Sequence, residues 1–308
     1  MEERVNIFIV DIFKVFACLL VLSGNALILM ALKKSKSLHK ATRLLLANVA
    51  VADMLYGVSL GLHSLLRMTS ISGGTCASMS LANVSGGSSM SGILLLCVQC
   101  FLCIRYLVRF KTGLSKRLAI VLIFTSWILW TGHSIYGYVR FHALGRDGDN
   151  LCGIISTKND YIWMGILAFT GDIHVIVLAI LQVSSLVLIQ RKKQEFRAQA
   201  QRPESSSSTA EPARHLNRLN KFSRLVSIIT MVLVMFVLTW GPFLVALSVF
   251  VVYREDEKIN SHLQENGILP ALTVFNSFGN IIIYWKKSEE IRDALSNICR
   301  CKQRIGIA

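Results

Sequence analysis

The sequence predicts an all-α membrane protein, a bundle of seven transmembrane helices followed by a short amphipathic eighth helix. Three observations carry the prediction. First, the 308 residues are 53% hydrophobic and only 17% charged, too apolar for an ordinary soluble domain. Second, the uncharged runs 15–32, 69–104, 118–139, 225–253 and 266–285 each reach or exceed the roughly 18 residues that suggest a spanning helix. Segments 44–66 and 161–190 are interrupted by one acid each, Asp53 and Asp172, which makes seven spans. Third, segments 33–43, 105–117, 191–224 and 286–308 hold 25 of the 33 Lys and Arg residues. Positive residues mark the cytoplasmic side, so the N-terminus is expected outside and the C-terminus inside. The net charge of +15 is then a topology signal directed at anionic inner-leaflet lipid, and it does not point to nucleic acid.

The approximate spans are 7–32, 43–66, 77–108, 117–139, 161–190, 221–252 and 265–285. The first begins at a Met-Glu-Glu terminus without a basic leader, so no cleavable signal peptide is expected. Span three opens on the small-residue stretch 80–92, SLANVSGGSSMSG, where Gly and Ser allow close helix approach; Ser88 and Ser91 are also candidates to line a ligand cavity. It closes on Arg105-Tyr106. Asn83-Val-Ser85 is a glycosylation sequon in an apolar segment and carries little weight. Cys97, Cys100 and Cys103 repeat every third residue within the span. That spacing spreads them over an apolar helix with no His nearby, which favours packing over a metal site.

Spans five and six are joined by basic flanks that can extend both helices past the membrane. The middle of this connection, 202–212, is rich in Pro, Ser and Glu and is expected to be disordered. After Tyr284, residues 286–299 place Ile291, Leu295 and Ile298 at helical spacing with charges between them, the pattern of a helix lying on the membrane surface. Cys299 and Cys301 are palmitoylation candidates, with unmodified thiols the alternative. Residues 300–308 form a cytoplasmic tail.

Polar groups inside spans are costly and usually face the bundle interior. Asn25, Asp53 and Asn280 lie at similar depth in spans one, two and seven and can share one cluster. The outer halves add Asp11, Lys14, His63, Arg67, His133, Arg140, Asp172 and His174. Interfacial solvation accounts for Asp11, Arg67 and Arg140. Asp172 lies deeper, and Asp172 and His174 are the best candidates for ligand contact.

The motifs resemble those of rhodopsin-like, class A G-protein-coupled receptors. They are SGNALIL (23–29), LLLANVAVADMLYG (44–57), Arg105-Tyr106, Trp127, LTWGPF (238–243) and NSFGNIIIY (276–284); Ile291-Arg292 stands where the family often has Phe-Arg in its eighth helix. They occur in the family's order over nearly the whole chain. The resemblance implies a central polar network of Asn25, Asp53, Asn276, Ser277 and Asn280. It implies an activation switch of Arg105, Tyr106, Trp240, Pro242, Asn280 and Tyr284, with Trp240 sensing ligand and Pro242 letting span six swing outward. It implies a heterotrimeric G protein as partner, an extracellular ligand, no cofactor and no enzymatic activity. It also implies a disulfide between Cys76 and Cys152, although the family's span-three cysteine lies about 25 residues before the arginine and Cys76 lies 29 before Arg105.

The departures are specific. Ile104 replaces the usual acid before the arginine, Ile281 replaces the proline after the span-seven asparagine, and RLNKFSRLV (218–226) offers Arg105 no acid. Raised basal activity is expected, or a resting state held by other contacts. Eleven residues before Arg105, where the family often has a serine that completes a sodium site with the acid, stands Leu94, which argues against sodium at Asp53. Gly87 stands where amine receptors carry an Asp, which argues against a classical biogenic amine. A seven-helix channel or transporter is the alternative. A retinal protein would need a Lys within 266–285, and there is none.

Overall fold

In a computed structural model, the residues described are 2–34, 38–69, 75–106, 114–143, 160–200, 210–253, 268–287, 292–293 and 296. Seven long helices account for almost all of them: α1 Glu2–Lys34, α2 Lys40–Met68, α3 Thr75–Arg105, α4 Lys116–Ala143, α5 Asp160–Ala200, α6 Ala210–Tyr253 and α7 Ile268–Lys287. Six of these contain a stretch long and apolar enough to cross a membrane, and α7 adds 20 residues. Local chemistry sets some of the ends. Ser115 caps α4 by accepting the Leu118 amide on its hydroxyl at 3.1 Å, which satisfies one of the orphan donors of a first turn.

α3 is the centre of the bundle and packs on α2, α4, α5 and α6. The sequence explains how one helix serves four neighbours. Three glycines of its small-residue stretch admit three different partners. A Cβ on Gly92 would meet Val49 of α2 at 2.8 Å, one on Gly86 would meet Trp240 of α6 at 3.1 Å, and one on Gly87 would overlap the Trp130 ring of α4. Small residues permit this close approach where lipid offers no hydrophobic driving force between helices.

Several helix ends depart from the sequence expectations. α3 closes at Arg105, with Tyr106 in a turn, short of the expected end at 108. α5 runs on to Ala200 and α6 starts at Ala210. Pro212, expected in a disordered linker, therefore stands in the first turn of α6, where a missing N–H costs nothing. Of the eighth helix only Arg292, Asp293 and Ser296 are described, and these are helical. The candidate acylation sites Cys299 and Cys301 and the tail 300–308 lie outside the described residues.

Candidate functional site

The deepest polar junction of the bundle joins α2, α3 and α7. Asp53 on α2 is 1% exposed. Its Oδ1 accepts from the Ser89 hydroxyl on α3 at 2.7 Å, and its Oδ2 accepts from Asn280 Nδ2 on α7 at 3.0 Å. One turn along α2, the Tyr56 hydroxyl meets Thr273 Oγ1 of α7 at 2.5 Å. A carboxylate in a water-free interior is tolerated only with such partners.

A small cavity opens above this junction, lined by Asp53, Tyr56, Gly86, Ser89, Met90, Phe236, Trp240, Asn276 and Ser277. Trp240 forms one wall. Its ring lies 5.6 Å from Tyr56, stacks on Phe236 at 6.0 Å and meets Phe243 edge-on at 6.1 Å. Pro242, two residues further along, lies inside α6 and removes one donor from its hydrogen-bond ladder. The cavity thus connects the helix that carries the proline to the buried acid.

The expected network is assembled in part. Asn276, Ser277 and Asn280 are buried beside Asp53. Asn25 is buried too, but its Nδ2 donates to the Val21 carbonyl of its own helix at 3.0 Å, so it does not bond to the acid. Trp127, singled out by its motif, donates to Asn48 Oδ1 at 2.8 Å and ties α4 to α2. Of the ligand candidates, Ser88 is fully buried, and among the described residues its hydroxyl has no hydrogen-bond partner. Ser91 accepts from Trp130 Nε1 at 2.9 Å, a contact between α3 and α4. Asp172 accepts from the Ser248 hydroxyl at 2.8 Å. His174 bonds to the Thr170 carbonyl at 2.8 Å and lies 6.4 Å from the Trp130 ring.

Two expectations need correction. Asp11 is not solvated at an interface. It is 2% exposed and ion-paired with Arg67 of α2, because each finds in the other the counter-charge that the membrane lacks. Ser89 is the serine on Asp53, although counting back from Arg105 points to Leu94. Tyr56, Gly86 and Met90 also escaped the sequence reading. Tyr56 was findable, being three residues from Asp53 and so on the same helix face.

At the Lys- and Arg-rich end, Tyr284 and Ile104 are buried in the main apolar cluster. Arg105 is exposed, and among the described residues no hydrogen bond or ion pair involves it. At the opposite end Cys76 is disulfide-bonded, and Cys152 lies outside the described residues.

Residues 24–284 match the family described as 7 transmembrane receptor, rhodopsin family. The chain belongs to this family. It is a multi-pass membrane receptor and not an enzyme. It is 27% identical over 246 residues to trace amine-associated receptor 8 of Homo sapiens, covering 75% of this chain and 69% of that receptor. Its fold resembles the crystal structure of squid rhodopsin with a TM-score of 0.77 at 18% identity, covering 94% of this chain and 84% of that one.

Set against the family's spacing, α3 of this receptor carries an offset. Ser89 precedes Arg105 by 16 residues and Cys76 precedes it by 29, where the family pattern has eleven and about 25. The two offsets agree to within one residue.

Proposed function

We propose that this receptor converts the binding of an extracellular ligand into nucleotide exchange on a heterotrimeric G protein, through an outward swing of the basic half of α6 about Pro242. The observation that carries this reading is the shared cavity, which sets Trp240 of α6 against the Asp53 junction of α2, α3 and α7. A ligand that moves Trp240 disturbs the packing above Asp53, and the proline gives α6 its hinge. The basic end faces the cytoplasm, following the concentration of Lys and Arg there, and the N-terminus is outside. Lys33, Lys34, Lys116, Arg117, Lys286 and Lys287 near the helix ends meet anionic inner-leaflet lipid.

The ligand enters from the outer end and reaches Trp240, with Ser88, Asp172 and His174 the polar groups available on the way. The human relative is named for trace amines, but α3 of this chain carries no Asp or Glu, which argues against a classical biogenic amine. Cys76 pairs with Cys152. The described Cys18, Cys97, Cys100 and Cys103 are not in disulfides, and Cys299 and Cys301 follow the basic end, where they are acylated. Ser89, unlike Leu94, supplies an oxygen beside Asp53, and the Asn276 and Asn280 side-chain oxygens are buried without partners among the described residues. This set of oxygen donors fits a hard monovalent cation such as sodium.

Arg105, Tyr106 and Tyr284 engage the G protein at the basic end. Among the described residues no acid pairs with Arg105, so basal exchange is raised unless other contacts hold α6. The test is exchange on co-expressed G proteins, with and without ligand. Arg105→Ala is expected to abolish most coupling while surface expression persists. Because Ile104 is fully buried, restoring an acid there would put a charge into the apolar cluster, so the arginine is the cleaner target. If the receptor reaches the surface and drives exchange on no G-protein class, the reading is wrong.

A further inference from the structure

The α5–α6 pair is bridged by polar contacts at three depths. Toward the outer end, Ser248 donates to Asp172 at 2.8 Å. At the basic end, Lys193 Nζ donates to the Ser223 hydroxyl at 3.1 Å. Between them lies Gln182 of α5, 4% exposed. Its Nε2 donates to the Val226 carbonyl at 3.0 Å and to Thr230 Oγ1 at 2.5 Å, both on α6. Its Oε1 faces Cys97 Sγ of α3 at 3.8 Å. One amide therefore joins three helices.

We propose that Gln182 is a positioning residue that latches the basic half of α6 to α5 and α3 in the resting receptor, and that its release is a condition of α6 opening. Three arguments carry this. The first is desolvation. A buried amide in an apolar run is costly unless its hydrogen-bonding groups are met, and both amide hydrogens have an acceptor on α6. The Thr230 hydroxyl already donates to Val226 at 2.8 Å, so its lone pairs are left to accept from Gln182.

The second argument is leverage. Thr230 lies 12 residues before Pro242, about 18 Å of helix at roughly 1.5 Å per residue. A tilt of about 10° at the proline would carry Thr230 about 3 Å, enough to break a 2.5 Å hydrogen bond. No water replaces such a bond within the membrane interior. The third is reach. Of the three α5–α6 contacts above, Gln182's is the one that also touches α3, at Cys97.

The proposal rests on the α6 swing of the preceding section, and its test separates the two. Bio-orthogonal spin labels at Lys40 on α2 and Asn220 on α6, both exposed, report the inter-helix distance by pulsed EPR of the full-length receptor in nanodiscs without ligand. Gln182→Leu fills similar volume without the amide. It should shift population toward the longer distance by about threefold, the average strength of an interhelical hydrogen bond in a membrane bundle. Thr230→Val, which removes one acceptor, should shift it less, and it carries the test should Gln182→Leu fail to fold. An unchanged distance distribution in folded Gln182→Leu, or in Thr230→Val where it alone folds, overturns the latch. Ligand-free exchange, measured in parallel, should rise with the longer-distance population. Exchange absent from the wild type and all variants while the distance still shifts would count against the coupling reading and leave the latch standing.

Discussion

Two sides of this receptor are built on opposite principles. In the most apolar stretches of α2 and α3, 67% of residues are buried, against 22% in α4 and α5. The first pair is a hub, held by Asp53, Ser89, Asn280 and glycines that admit neighbouring side chains. The second pair faces outward with Val121, Phe124, Ile128, Leu129, Ile176 and Ile180 exposed, as lipid requires. The same residue type therefore does opposite work on the two sides. A glycine in the hub is a socket, and a glycine on the rim is merely a weak helix former. A receptor that must move one helix while keeping its frame benefits from such a division.

The largest effect should come from the acid that organises the hub. Asp53→Ala removes the acceptor of both Ser89 and Asn280, and ligand-stimulated exchange is expected to fall by at least tenfold while surface expression persists. Unchanged efficacy and potency at normal surface levels would reduce Asp53 to a packing residue.

Next comes a matched pair of glycine substitutions. Gly92→Ala places a methyl 2.8 Å from Val49 and 2.9 Å from Asn48, and overpacking of this kind costs about 1–3 kcal/mol. Gly132→Ala on α4 meets nothing within 4 Å and should gain about 0.5–1 kcal/mol from helix propensity alone. Thermal unfolding followed with a thiol-reactive dye suits both, since Cys97 and Cys100 are buried until the bundle opens. Equal shifts of the same sign would erase the distinction between hub and rim.

The smallest effect should be Trp127→Phe, which removes the 2.8 Å bond to Asn48 and keeps most of the apolar area. A loss of about 0.6 kcal/mol is expected, the average for a hydrogen bond between membrane helices. A loss several times larger would mean that α4 belongs to the hub after all.

The sequence reading of this chain was strong along the membrane normal and weak around it. Uncharged runs located the helices, and Asn276, Ser277 and Asn280 lie beside Asp53, whereas Asn25 bonds within its own helix. Hydropathy says how deep a residue sits but not which way it faces. Asp11 and Arg67 were therefore read as separate interfacial charges, although they form one part-buried pair. Gln182 was passed over because a single amide does not interrupt an apolar run. Ser89 was missed because α3 was indexed from Arg105. The 29 residues from Cys76 to Arg105 already held the same offset, but an added turn or a longer loop accounted for it equally well.

The Asp11–Arg67 pair also bears on how the chain is made. Asp11 leaves the ribosome 56 residues before Arg67, an interval of about 3 to 11 s at 5–20 residues per second. Throughout that time α1 carries a carboxylate in its apolar stretch, and Arg67 has yet to be synthesised. The first helix is apolar enough to enter the membrane alone, but its acid gains a guanidinium partner only beside α2. The two helices are therefore expected to pair early, as a helical hairpin.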